Sequence, residues 1–152
     1  MTNPIKNMKE EFSTFDVCEA LNIPRERLRD WMVRGFVVPS VQADGAGTRA
    51  LFDRIDVYLV SLFENLIEGG FPRKTASLFV EYIRIDKSTR SKLPKIDFII
   101  AKRNSKNTWE VRWVSGSLPI TENTKKADGW MQLTICNFKK IREEVDRRLK
   151  AL

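Results

Sequence analysis

The stretch STFDVCEALNIPRERLRDWMVRGFVVPSVQADGAGTRALF, from Ser13 to Phe52, contains two helical patterns followed by a glycine-rich turn, with no long spacer between them. The first pattern opens at Ser13, whose hydroxyl can accept a hydrogen bond from the next turn, and Asp16 completes a capping pair. The second runs from Arg25 to Arg34, and Gly35 stands where a left-handed residue commonly ends a helix. We therefore predict two short helices joined by a tight turn.

The polar face of the second helix is rich in arginine. Leu28, Trp31 and Met32 have the spacing of an apolar stripe and must face inward. The cations at the other positions are expected to be directed mostly to solvent, and they are Arg25, Arg27, Arg29 and Arg34. Exposed guanidinium groups on a helix suit both phosphate oxygens and guanine edges. This helix is therefore the candidate DNA-reading element.

A wing and two further helices are predicted after the second helix. Two extended arms, Phe36–Pro39 and Thr48–Phe52, flank a polar turn that contains glycine at 45 and 47, which is typical of a hairpin. Asp53, with Asp56 three residues later, predicts the cap of a third helix, and a fourth helix follows Pro72. Residues 1–84 are thus expected to form a mainly α winged helix-turn-helix of four helices plus wing.

The order of these parts resembles the DNA-binding domain of the MerR family of bacterial regulators over residues 12–83, about half of the chain. The residues that carry the resemblance are Val17–Ile23, Leu28–Trp31, Gly35–Pro39, Gly47–Phe52 and Ile67–Pro72. In that family the second helix enters the major groove, the wing contacts the DNA backbone, and the turn before the fourth helix contacts phosphate. The resemblance therefore implies DNA contacts from Arg25, Arg27, Arg29, Asp30, Thr48, Arg49, Arg73 and Lys74. Arg34, from the exposed face of the second helix, completes the candidate set.

Three features depart from the family pattern. Asp30 and Trp31 replace the usual aromatic pair, so Asp30 either reads a cytosine amine or forms a salt bridge with Arg27 or Arg34, and the salt bridge is favoured. Pro24 stands where a serine or threonine cap is usual, at a cost of about 1 kcal/mol. Residues 85–95 replace the long dimerising helix of classical members, so that family's dimer and its promoter-untwisting mechanism are not carried over.

The second half of the chain predicts a small α+β unit over residues 96–152, joined by a polar linker at 85–95. Apolar residues alternate on both sides of a turn at 104–107, which indicates a β-hairpin. A loop at 116–126 and a turn at Asp128-Gly129 precede a third strand, Trp130–Cys136, and a helix that opens at Asn137. We expect three antiparallel strands covered by this helix, with a role in dimerisation or effector binding.

Three tryptophans in this unit allow two interpretations. Trp109 and Trp113 fall on one face of a strand, and Trp130 is a candidate to join them. They either stack a planar ligand or a cation, or pack in the core against the last helix. Core packing is the favoured interpretation.

The positive charge of the chain is unevenly distributed. From Met1 to Arg84 there are 11 Lys and Arg against 12 Asp and Glu, whereas from Ile85 to Leu152 there are 16 against 8. The whole net charge of +7 therefore comes from the second half. That half either assists on the phosphate backbone or has a well-solvated surface.

Several classes of protein are disfavoured by composition. The chain has no histidine, the commonest general base, and its two cysteines lie far apart in sequence, so we expect no catalysis, no metal site and no cofactor. No apolar run approaches a membrane span, and we expect a cytoplasmic, nucleoid-associated protein without a membrane partner.

The sequence therefore predicts a sequence-specific transcriptional regulator that binds a palindromic site on double-stranded DNA as a homodimer. Two alternatives stay open. One is an architectural, DNA-bending protein resembling phage excisionases, and the other is a protein-interaction module on a winged-helix scaffold. A small-molecule effector of the C-terminal unit is a third and vaguer possibility.

Overall fold

The computed structural model describes residues 10–117 and 129–152 of the chain. Its elements in chain order are β1 (Glu11–Ser13), α1 (Thr14–Leu21), α2 (Arg25–Val33), β2 (Leu51–Asp53), α3 (Arg54–Glu68), α4 (Arg73–Ile85), α5 (Lys87–Lys92), a 3-10 turn (Leu93–Lys95), β3 (Phe98–Asn104), β4 (Trp109–Val114), β5 (Trp130–Asn137) and α6 (Phe138–Lys150). No helix among these described residues is long and apolar enough to cross a membrane.

The helix-turn-helix forms as its local signals predict. At the start of α1 the Ser13 hydroxyl accepts from the Asp16 amide at 3.1 Å, while the Asp16 carboxylate accepts from the Ser13 amide at 2.9 Å. Asn22, at φ 54°, ends α1, and Gly35, at φ 74°, follows α2. Pro24 occupies the N-cap position of α2 and makes no side-chain hydrogen bond there, which confirms that a capping hydrogen bond is lost.

The wing differs from the predicted hairpin. Its first arm is not a strand, because the amides of Phe36 and Val37 donate back to the carbonyl of Trp31 and so complete the end of α2. Val41 and Leu51 form a single antiparallel bridge at the base of the wing. The strand β2 pairs instead with β1, a strand that the sequence analysis did not predict.

The helices enclose a hydrophobic core around α3. Trp31 of α2 is 2% exposed and packs edge-on against Phe63 of α3, with ring centroids 5.0 Å apart. Leu28 is fully buried, so the stripe predicted for α2 does face inward. Cys18 lies on the buried side of α1, and burial raises the pKa of its thiol.

The second half contains the predicted antiparallel sheet, in the order β4-β3-β5, with α6 opening at Asn137. The expectation that this helix covers the sheet is wrong. The buried residues Val145 and Leu149 belong to a helix that packs on α1 and α3, while Trp109 of the sheet packs on Phe79 of α4. A stripe of apolar residues predicts that one face of a helix is buried, but it does not show which element buries that face. Most of the predicted loop at 116–126 lies outside the described residues, as does Asp128.

The segment predicted to be a linker, 85–95, is folded. Asp86 caps α5 by accepting from the Ser88 amide at 3.1 Å, and Thr89 and Leu93 are buried. The sequence did not indicate this helix, because six residues are too few to show a stripe. Buried residues of both halves share one hydrophobic core, and the division into units 1–84 and 96–152 stays a prediction.

Candidate nucleic-acid interface

Arg25 and Arg29 lie one helical turn apart on the exposed face of α2. Their direction follows from the burial of Leu28 and Trp31 on the opposite face. The wing brings Thr48 and Arg49 to the same place, and these four residues line one groove of about 790 Å³. Three guanidinium groups therefore converge on a single open surface.

Within the part of the chain that the structure describes, Arg25, Arg29 and Arg49 form no salt bridge. All three are exposed, so their donors are available to an anionic ligand. The groove also contains Glu26, together with the apolar side chains of Phe15 and Met32. Such a surface can bind phosphate oxygens and offer donors to base edges.

Thr48 shapes the tip of the wing. Its hydroxyl accepts from the Asp44 amide at 2.7 Å and donates to the Gly45 carbonyl at 2.8 Å. Gly45 and Gly47 have φ values of 119° and 85°, which a side chain would strain. Thr48 thus holds the turn that presents Arg49.

Asp30 and Arg34 form a salt bridge with each other. The Arg34 Nε lies 2.9 Å from the Asp30 Oδ1 across one helical turn, and both side chains are about half exposed. This geometry confirms the interpretation of Asp30 as a salt-bridge partner. The two residues lie outside the groove that Arg25 and Arg29 line.

Arg27 and Arg73 line a second cleft, of about 440 Å³, between α2, α3 and the start of α4. Glu64 and Glu68 lie in the same cleft. Burial and the charge of Glu68 raise the pKa of Glu64, while the charges of Arg27 and Arg148 act in the opposite direction. Lys74 is exposed and lines neither cleft. The nine residues predicted to contact DNA therefore do not form one surface: some line the groove, some line the second cleft, and others lie outside both.

A network of hydrogen bonds and ion pairs lies at the base of the wing, and the sequence did not predict that its members come together. Asp56 is 3% exposed, and its carboxylate accepts from the amides of Ser40 and Asp53, both at 2.9 Å. Nη2 of Arg90, from α5, lies 2.6 Å from the Asp53 carboxylate and 3.1 Å from that of Asp56. Capping signals indicated Asp53 and Asp56, but no sequence signal indicated Ser40 or Arg90.

The three tryptophans do not form an aromatic cage. Trp109 lies between Phe71 and Phe79, with centroid distances of 5.2 Å to each, and Trp113 lies 5.9 Å from Tyr82. These partners belong to α4 and the turn before it, so the interpretation as core packing is right in kind but names the wrong helix. Trp130 instead has the ammonium of Lys102 6.0 Å from its ring centroid.

No group of three or more His, Cys, Asp or Glu residues within 10–117 and 129–152 is placed to hold a metal ion. No curated protein is significantly similar to the chain. A family model described as "MerR HTH family regulatory protein" matches residues 12–82, which include α1, α2, the wing and α3, and nearly all of α4. Residues 12–82 therefore match the helix-turn-helix domain of the MerR family, and this match supports a DNA-binding domain of that kind in this part of the chain.

Proposed function

We propose that this chain is a non-enzymatic transcription regulator that binds a palindromic site on double-stranded DNA as a homodimer, which would associate it with the nucleoid. The observation that carries the proposal is the groove in which Arg25, Arg29 and Arg49 converge without salt bridges among the described residues. The α2 arginines are the proposed base-reading groups. Arg49 is the proposed phosphate contact.

The division of roles follows from where the side chains lie. A helix in the major groove reaches base edges, whereas a wing beside it reaches the sugar-phosphate chain. Arg25 and Arg29 are on the helix, and Arg49 follows the wing turn that Thr48 holds. We assign Arg27, Arg73 and Lys74 to secondary phosphate contacts, and the Asp30–Arg34 pair to the rim of the interface.

Dimerisation is proposed because one helix-turn-helix buries little DNA, whereas two copies related by a two-fold axis double the contacts. Selection of bound fragments from random duplex DNA tests binding and symmetry together. Enrichment of a two-fold symmetric sequence is the expected result. Recovery of single half-sites would reject the dimer, and no enrichment would reject sequence-specific binding.

The residue roles are tested by Arg29→Ala and Arg49→Ala on the selected site. Arg29→Ala should weaken binding by about 1–3 kcal/mol and relax the sequence preference at one position. Arg49→Ala should weaken binding of all sequences alike and reduce the slope of log K against log salt by about 1. Arg147→Ala, the same charge change at an exposed position on α6, serves as the matched control. Unchanged affinity in both groove variants would refute the assigned interface.

The near-neutral first half and the Asp30–Arg34 pair favour a second candidate, in which the same face binds a protein. That candidate predicts no measurable affinity for duplex DNA at low salt. The excisionase-like alternative shares the DNA contacts and is separated by a bending assay, since a simple regulator need not deform its site.

A further inference from the structure

Both ends of the wing loop, residues 41–52, are hydrogen-bonded to the same buried carboxylate, that of Asp56. The amide of Ser40, just before the wing, donates to Oδ2 of Asp56, and so does the amide of Asp53, just after it, both at 2.9 Å. The Ser40 hydroxyl is also within hydrogen-bond reach of the Asp56 and Asp53 carboxylates. Asp56 therefore fixes the separation and direction of the two chains that lead into the wing.

Two carboxylates this close to one hydroxyl repel each other unless a cation neutralises them. Arg90 supplies that cation, because its Nη2 lies 2.6 Å from Asp53 Oδ2 and 3.1 Å from Asp56 Oδ1. The side chain of Arg90 is 23% exposed and the side chain of Asp56 only 2%, so solvent screens this contact weakly. The Arg90 guanidinium thus offsets the repulsion between Asp53 and Asp56, the two carboxylates to which the ends of the wing are hydrogen-bonded.

We propose that Arg90 is a positioning residue for the wing: it acts through Asp53 and Asp56 to hold Arg49 against the DNA backbone. The inference rests on the proposed DNA-binding function and extends it to α5, beyond the matched residues 12–82. The wing contact therefore depends on a residue from the second half of the chain.

A double-mutant cycle on the full-length protein and its selected duplex tests this role. Because Arg90 acts through the wing, Arg49→Ala should lower affinity about 10-fold in the native background but less than about 2-fold in an Arg90→Ala background. Arg29→Ala acts through α2 and should cause the same loss in both backgrounds. Equal losses from Arg49→Ala in the two backgrounds would overturn the proposal.

Conservative and control variants separate positioning from loss of folding. One nitrogen of Arg90 makes both contacts, so Arg90→Lys keeps a cation there and should recover most of the affinity lost in Arg90→Ala. Lys92→Ala removes an exposed cation from the same helix and should leave affinity unchanged. If Arg90→Ala does not fold, Ser40→Ala replaces it in the cycle, because it loosens the same attachment without leaving a charge unpaired.

Hydrogen exchange in the absence of DNA tests the proposal even if the protein binds no DNA. The amides of Val41 and Leu51 each donate to the other residue's carbonyl at the base of the wing. Arg90→Ala should accelerate their exchange by about 10-fold or more, and leave the amides of α6 unchanged. Unchanged exchange at Val41 and Leu51 would overturn the positioning role, whereas absence of DNA binding by the native protein would overturn the proposed function alone.

Discussion

The groove between α2 and the wing and the C-terminal helix α6 both present arginines, but in opposite surroundings. In the groove, Arg25, Arg29 and Arg49 are exposed and form no salt bridge with any described residue. On α6 every arginine is engaged: Arg142 binds the Ile96 carbonyl and Asp97, while Arg147 and Arg148 bind Glu144. The three lysines of α6 are exposed to solvent.

The comparison teaches that net charge along the sequence does not locate the candidate binding surface. The first half has a slight excess of acid, yet it holds the convergent arginines. Several of its acids cap helices or form the Asp30–Arg34 pair, although Glu26 lines the groove. The second half carries the positive excess, but Arg142 and Arg148 attach α6 to the carbonyls of Ile96 and Ala20, and Arg147 pairs with Glu144 of the same helix. A cation contributes to a binding surface only when the fold leaves its donors unused.

The largest effect that the comparison predicts is on DNA affinity. Replacing Arg25 and Arg29 together by alanine should weaken specific binding by at least about 2 kcal/mol, since each base contact contributes ~1–3 kcal/mol. The free energy of unfolding should not fall, because neither side chain forms a salt bridge within the described residues. Titration of the selected duplex and urea unfolding measure the two quantities.

The matched control for that pair lies on α6. Arg147→Ala with Lys150→Ala removes the same charge from exposed positions. DNA affinity should then change by less than about 0.5 kcal/mol, because neither residue lines the groove and solvent screens exposed charges. An equal loss of affinity in the control would break the comparison, because total charge rather than placement would then govern binding.

The second prediction concerns Arg142 of α6, for which we expect a loss of stability but no loss of DNA affinity. Arg142 donates to the Ile96 carbonyl at 2.9 Å from Nη2 and at 3.2 Å from Nε, and its side chain is 15% exposed. Arg142→Ala should lower the free energy of unfolding by about 1–3 kcal/mol, because it leaves a carbonyl and the Asp97 carboxylate without this donor. The DNA affinity of the folded protein should be unchanged. Lost affinity with native stability would instead assign Arg142 to the binding surface.

Local contacts of this fold are predictable from the sequence, and contacts between distant segments are not. The Ser13–Asp16 and Asp53–Asp56 caps and the Asp30–Arg34 pair join residues three or four apart, where helix geometry alone brings side chains together. The contacts of Asp56 with Ser40 and Arg90 span 16 and 34 positions. No periodicity or motif encodes such a distance.

The same limit explains the two errors of packing. The sequence predicted the helix α6, but its packing on α1 and α3 arises from the path of the whole chain. The first arm of the wing was extended in the sequence pattern, yet the left-handed Gly35 turned its amides back onto Trp31. In the candidate site, the pattern placed Arg25 and Arg29 on the exposed face, and the fold alone separated Arg27 from them.

The smallest effect concerns the acid that engages two of the α6 arginines. Hydrogen bonds from Arg147 and Arg148 lower the pKa of Glu144 from 4.5 to about 2. A carboxyl whose pKa is lower in the folded state stabilises the fold above its unfolded pKa and loses that contribution as the pH falls towards the folded value. Glu144→Gln should therefore be less stable than the native protein at neutral pH, and this difference should disappear between about pH 4.5 and pH 2.

Urea midpoints at neutral and acidic pH measure this difference, which should also shrink at high salt because the ion pairs are solvent-exposed. Glu143→Gln is the matched control. The carboxylate of Glu143 is next to Glu144 in the sequence, is exposed, and forms no ion pair with the residues that the structure describes. A difference that persists unchanged at about pH 2 would mean that Glu144 stabilises α6 through packing rather than charge. The pairing of Arg147 and Arg148 with Glu144 would then be incidental, and on α6 the contrast with the groove would rest on Arg142 and on the bond from Arg148 to the Ala20 carbonyl.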